Sequence, residues 1–232
     1  MKKTATILWA LLLSLFVSLP LYAEGILAFP GAEGFGRFAT GGRQYENGGW
    51  PQFWPGPRGY QVHITFNDDA IVNTLNMIRD MMNHKAPYED DLIDKALCVR
   101  LGKAFNKGIE CILATQIIKD GEPSVWCQQN DRETLKPAPA RAYELPSYCS
   151  AESAGIVRLL MELPAPDARV KRAVHGAMKW FDRYKLTGLK CERIVLANGE
   201  RDTRLVEDPQ AKPIWARYYD LKYCEPYVCD RD

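Results

Sequence analysis

Four stretches with apolar residues at helical spacing restrict this chain more than any other feature, and the segments between them are too rich in proline and glycine to be helical. In DAIVNTLNMIRDMMN, residues 69–83, Ile71, Leu75, Ile78 and Met82 fall on one stripe. DDLIDKALCVRLGKAFNKGIECILATQII, residues 90–118, extends the pattern, and Asp90 and Asp91 suit a helix start, which favours negative charge. AESAGIVRLLMELP (151–164) and DARVKRAVHGAMKWFDRYK (167–185) make a second hairpin about Pro164-Ala165-Pro166. Helix pairs with long loops on one side predict a mainly α chain, an α/α toroid. About two full hairpins are too few to close such a ring, so the expectation is an incomplete α/α toroid. A short strand is expected in SVWCQ (124–128), and a small β-hairpin about Asn198-Gly199.

The first 23 residues read as a secretory signal peptide. A basic start, MKK, leads into the apolar run ATILWALLLSLFVSL, and small Ala23 offers a cleavage point. A retained anchor is the alternative, but the run is short against the roughly 20 residues of a membrane span. The expectation is a secreted or periplasmic protein with no membrane association after cleavage. Export implies an oxidising compartment for the seven cysteines. No CxxC pair occurs and there are only three histidines, which argues against zinc. Cys98 and Cys111 lie in apolar helical sequence and read as core, while Cys224 and Cys229 are spaced so that they could pair. A net charge of +1 excludes a general nucleic-acid or membrane-surface binder. Residues 24–60 are loop sequence, and their glycines lack the spacing and lysine of a phosphate loop.

Three clusters carry candidate chemistry. In HITFNDDAIVN, Asn67, Asp68 and Asp69 precede a helix, and their oxygens suit a hard cation such as calcium. On spacing alone, helix capping is the stronger reading. VWCQQND and KPAPARAYELPS place Trp126, Gln128, Asp131, Arg141, Tyr143 and Glu144 on neighbouring loops. Prolines on both sides of Arg141 stiffen its backbone. Polar and aromatic groups on rigid loops suit sugar binding, with Trp126 and Tyr143 as contacts. The structural alternative is an ion pair from Arg141 to Glu144 or Asp131. In WARYYD and CDRD, Arg217 and Arg231 are fixed-charge forks that match carboxylates. Three arginines and an acid pair describe a groove for a polyanion whose charge is carboxylate.

These blocks, with GGWPQFWP, KGIECILATQ and AESAGIVRLLMELP, resemble family 10 polysaccharide lyases, the calcium-dependent pectate lyases, from about Gly48 to the end. The resemblance implies an α/α toroid that cleaves polygalacturonate by β-elimination. It implies Arg141 as the base at C5 of a galacturonate, Asp68 beside the calcium and substrate, and Arg217 and Arg231 on substrate carboxylates. Three features depart from the family pattern. The earlier half, with a further Asp-Asn pair near the metal, is lacking, and the sequence stops at Asp232, the last residue of its DRD block. Ala114 stands where a basic residue is expected. Residues 26–43, ILAFPGAEGFGRFATGGR, resemble instead the start of family 1 pectate lyases, an unrelated β-helical fold. The domain reading is therefore a leader over 1–23, a Gly-rich segment over 24–47 and a partial family 10 domain over 48–232; a recombined or truncated gene product is one account, and a family variant whose N-terminal segment merely resembles family 1 is the alternative. Besides a lyase, the sequence leaves open a non-catalytic pectin-binding protein, or an inactive relic whose exposed helix faces invite self-association.

Overall fold

The computed structural model describes residues 44–53, 56–89, 93–199 and 201–229. The expected leader, most of the Gly-rich segment, Asp90, Asp91 and Arg231 lie outside the described residues. Four helices are present among those described: α1 (Ala70–Met82), α2 (Lys95–Thr115), α3 (Ser150–Met161) and α4 (Ala168–Arg183). None is long and apolar enough to cross a membrane. Nine strands accompany them: β1 (Ile64–Thr65), β2 (Ile118–Lys119), β3 (Glu122–Pro123), β4 (Gln129–Asn130), β5 (Tyr148–Cys149), β6 (Leu189–Val195), β7 (Arg201–Glu207), β8 (Tyr218–Tyr219) and β9 (Pro226–Tyr227). They form four small antiparallel sheets, β1-β4, β2-β3, β5-β8-β9 and β6-β7.

This overturns the expected mainly α, incomplete toroid. Helical periodicity located the helices but was silent on how they pair. Only α3 and α4 run close together as a hairpin; α1 and α2 meet through side chains such as Leu75 against Gly108. The segment expected to hold a strand, Ser124–Gln128, is extended and wholly buried but sits in no ladder; the strand β4 begins one residue later. Loop backbone thus occupies core volume that the toroid reading assigned to helices.

The chain divides into two compact units. The first joins the stretch up to Trp50 with Asn73–Glu110. Within it, Leu75, Ile78, Leu97 and Leu101 are buried, and the α1 stripe ends on buried Met81 where Met82 was expected. Gln44 ties the entering chain down by donating to the carbonyls of Gly48 and Ala104. Gly48 has φ 92°, and its missing side chain leaves room for the carbonyl of Lys107.

The second unit joins Pro51–Val72 with Cys111–Asp232. Its buried spine is Val125–Asn130. The carbonyl of Trp126 accepts from Cys149 N at 2.8 Å, where β5 begins to lead into α3. The carbonyl of Gln128 accepts from both Phe66 N and Asn67 N. One extended strand of backbone therefore holds the start of α3 and the turn before α1. Helix α4 starts on Asp167, whose carboxylate accepts from Val170 N at 2.9 Å. Trp180 of α4 packs edge-on against Tyr219, with centroids 4.9 Å apart, and donates to Cys224 Sγ. All seven cysteines are free thiols, so the Cys224–Cys229 pairing is not made. Strands β6 and β7 flank the turn at Asn198-Gly199 in a hairpin exposed along most of its length. Val157, Met161, Met178, Phe181 and Trp215 line an open apolar groove of about 860 Å³ beside α3 and α4.

Candidate functional site

The residues that carry candidate chemistry meet in the second unit, around the turn that precedes α1. Asn67 is buried, and its backbone N–H is anchored to Gln128. Asp68 and Asp69 follow in the left-handed region, with φ 54° and 58°. Two successive left-handed non-glycine residues cost on the order of 1–3 kcal/mol each, a strain typical of functional sites. The conformation turns Asp68 outward, with its side chain 77% exposed and 3.9 Å from Arg217. Asp69 faces α3, where Gly155 leaves space for its carboxylate. Burial and the nearby Glu152 push the Asp69 carboxyl above its ordinary value.

Arg141 sits on a tight turn closed by Glu144 N donating to the Arg141 carbonyl at 2.8 Å. Gln128 bolts this loop to the spine: its amide donates to the Leu145 carbonyl at 2.8 Å and accepts from Ser147 Oγ at 2.9 Å. The Arg141 guanidinium grips the fully buried Glu144 with two bonds, Nε to Oε2 at 2.8 Å and Nη2 to Oε1 at 2.6 Å. Of the two structural partners the sequence allowed, Glu144 is the one engaged. Asp131 instead caps Glu133 and Thr134 and faces His63 at 3.7 Å. The pair holds the Arg141 guanidinium above its usual range and the Glu144 carboxyl below its own. Tyr143 lies 5.0 Å from the guanidinium, ring centroid to carbon.

Arg217 stands at the start of β8, where its carbonyl accepts from Ser150 N at the head of α3. Its Nη2 donates to Asn67 Oδ1 at 2.7 Å and to Glu152 Oε1 at 2.6 Å. Burial works to lower the Arg217 guanidinium, but the charge and hydrogen bond of Glu152 outweigh it and hold the group fully protonated. Glu152 is almost wholly buried and also takes a short contact from the thiol of Cys149. Sequence reasoning passed over Glu152. The signal was there: an acid at the apolar spacing of Ile156 and Leu159, an inward-facing position that needs a charged partner.

Structure and expectation part at one residue. Trp126 cannot offer a face to a sugar, because it is fully buried and its indole N–H donates to the Ile112 carbonyl at 2.7 Å. Its aromatic bulk serves the core. Arg231 falls outside the described residues. Arg141, Tyr143, Arg217 and Asp68 are brought to one region.

Among the described residues, that region holds Arg141, Arg158 and Arg217 against Asp68, Asp69, Glu144 and Glu152, a surplus of one acid. No cluster of three or more acidic, cysteine or histidine ligands exists among the described residues. Calcium takes about 6–8 oxygens. The exposed carboxylate of Asp68 fits as one donor at an open site that a ligand's carboxylates and water complete. Glu144 and Glu152 are already committed to arginines. These residues by themselves would therefore not cage such a cation.

Comparison with known proteins identifies the family of the chain. No curated protein sequence matches the chain. Among solved structures, a family 10 polysaccharide lyase from Cellvibrio cellulosa matches with a TM-score of 0.76 and 32% identity over 86% of this chain. A point mutant of a family 10 polysaccharide lyase from the same organism, in complex with trigalacturonic acid, matches equally well. The chain spans 60–61% of the length of these two structures. The profile of the pectic acid lyases matches residues 41–232, and on that evidence the chain belongs to the pectic acid lyase family.

Proposed function

We propose that this protein is a pectate lyase, cleaving polygalacturonate by β-elimination with Arg141 as the base and calcium as the cofactor. The observation that carries the reading is the pair of arginines, each held by its own buried carboxylate, with half-exposed side chains beside the outward-turned Asp68. Guanidinium forks match uronate carboxylates in geometry and charge. Arg217 orients a substrate carboxylate, and Tyr143 lies beside the guanidinium of Arg141. Arg141, acting in its neutral form, takes the C5 proton, and the C5 electron pair delocalises into the adjacent carboxylate; the pair then forms the C4–C5 double bond as the C4–oxygen bond breaks, and the departing glycosidic oxygen takes a proton from water. Asp68 would hold calcium together with the sugar carboxylate, and the bound ion would supply positive charge to the developing enolate. The acid surplus of the free site gives a reason for that requirement, since a polyanion meets net repulsion until a cation joins it.

One observation favours a second reading, a pectin-binding protein that grips without cleaving. Glu144 keeps Arg141 charged, which suits a clamp better than a base. In the lyase reading, Arg217 and calcium are the cations that oppose this effect once substrate is bound.

The experiment follows the ultraviolet absorbance of the unsaturated uronate on polygalacturonate, with calcium or with chelator. Arg141→Lys is the informative variant, because it keeps a cation beside the buried Glu144 and so preserves the fold. The expected result is calcium-dependent product from wild type and a loss of about 100-fold or more in kcat for Arg141→Lys. A flat trace from folded wild type that still binds trigalacturonic acid selects the binding reading.

A further inference from the structure

The two arginines are linked through one side chain. Asn67 Oδ1 accepts from Arg217 Nη2 at 2.7 Å, and Asn67 Nδ2 donates to Glu144 Oε1 at 3.3 Å. Glu144 Oε1 is also the atom that accepts from Arg141 Nη2. At the other end, Arg217 Nη2 also donates to Glu152. The polar chain therefore runs from Arg141 through Glu144, Asn67 and Arg217 to Glu152. The Asn67 amide has only one satisfactory orientation, since a flip would set its oxygen against a carboxylate and its NH2 against a guanidinium. Asn67 is 3% exposed, Glu144 0% and the Glu152 side chain 4%, so water does not readily replace these bonds. The backbone of Asn67 is fixed by Gln128, and the same Gln128 side chain bolts down the Arg141 loop.

We infer that Asn67 is a positioning residue that joins the Arg141–Glu144 and Arg217–Glu152 pairs into one unit and sets the spacing of the two guanidinium forks. Its catalytic consequence rests on the lyase reading above. A polymer whose carboxylate is held on Arg217 then presents its C5 at a set place relative to Arg141. Asn67 also leads directly into Asp68, so the same anchor aims the outward carboxylate.

The test uses the Nε–H resonance of Arg141, which donates to Glu144 Oε2 and can be read without turnover. Three variants are compared with wild type: Asn67→Ala, the isosteric Asn67→Asp, and Arg217→Lys, which keeps charge but shortens the reach to Asn67. Thermal melting confirms that each is folded, and Arg217→Lys, which keeps its charge and leaves Asn67 in place, serves if neither Asn67 variant is. The Arg141 signal is expected to shift in Asn67→Ala and Asn67→Asp, each of which removes the donor to Glu144. Arg217→Lys is expected to shift it in the wild-type background but not when combined with Asn67→Ala. An unmoved signal, or an equal Arg217→Lys effect in both backgrounds, overturns the inference. In turnover, Asn67→Ala is expected to lower kcat about 100-fold with a smaller change in KM. If wild type makes no unsaturated product, the lyase reading fails while the resonance data still decide whether Asn67 couples the arginines.

Discussion

At the scale of single residues, the pairs around Arg141 and Arg217 are asymmetric, and the asymmetry predicts behaviour. Arg141 is 41% exposed at its side chain, whereas Glu144 is fully buried. Removing Glu144 leaves a cation that water can solvate; removing the Arg141 side chain leaves a buried carboxylate without its counter-charge, held by the Asn67 amide and the backbone N–H of residue 141. Arg141→Ala is therefore expected to cost about 3 kcal/mol, against about 1 kcal/mol for Glu144→Ala, measured by urea unfolding. Equal costs would mean that Glu144 finds another partner. Trp126 illustrates how residue type alone misleads. An indole beside Gln128 in a polar loop suggests a sugar platform, yet burial makes it a core side chain with its N–H satisfied. Trp126→Phe should lower stability by about 2 kcal/mol through the lost volume and the stranded Ile112 carbonyl. Its affinity for trigalacturonic acid should stay at the wild-type value. Arg141 and Arg217 were legible as candidates because fixed charge has few other uses on a stiff loop. Asn67 as a link was not legible, because an amide's partners 77 and 150 residues away leave no local trace.

At the scale of elements, α3 carries more of the site than its amphipathic pattern suggested. It supplies Glu152 to Arg217 and gives Asp69 a place opposite Gly155. A methyl group at position 155 would run into the Asp69 carboxylate. Gly155→Ala should cost about 1 kcal/mol by pushing the Asp69 side chain back onto its own turn. Because that turn bears Asp68, binding of trigalacturonic acid, measured by calorimetry, should weaken more than stability alone explains. The β6–β7 hairpin behaves differently. Its strands are mostly exposed, and a two-stranded ribbon is marginal on its own. Its amides should exchange with solvent before those of α3 and α4 in native-state hydrogen exchange; simultaneous exchange would show that it unfolds only with the rest. Asn198-Gly199 announced this hairpin, although the ladder closes at Val195 and Arg201, a longer connection than the two-residue turn the pair suggests; Gly199 supplies a positive φ of 83°.

At the scale of the whole molecule, acid should unfold the protein through loops as well as through its site. Asp131, Asp167 and Asp220 accept backbone N–H groups in separate loops and at the start of α4, and these bonds hold all three carboxyls below their ordinary value of 3.8. A carboxyl depressed in the folded state stabilises it above the unfolded value, and that contribution is lost as pH falls through the folded one. Stability should therefore be flat with respect to these groups near neutrality and fall once pH drops below about 3.8. Asp220→Asn should flatten that fall, as measured by thermal melting across pH. The order of helices and the hairpin turn were determined by sequence, since periodicity and turn chemistry act over neighbouring residues. Tertiary structure alone decided that α1 and α2 do not form a close hairpin, that Trp126 is core and that Asn67 links the two arginines. Those outcomes depend on which distant groups exclude water from one another, and burial between segments far apart in the chain is written in no short stretch of it.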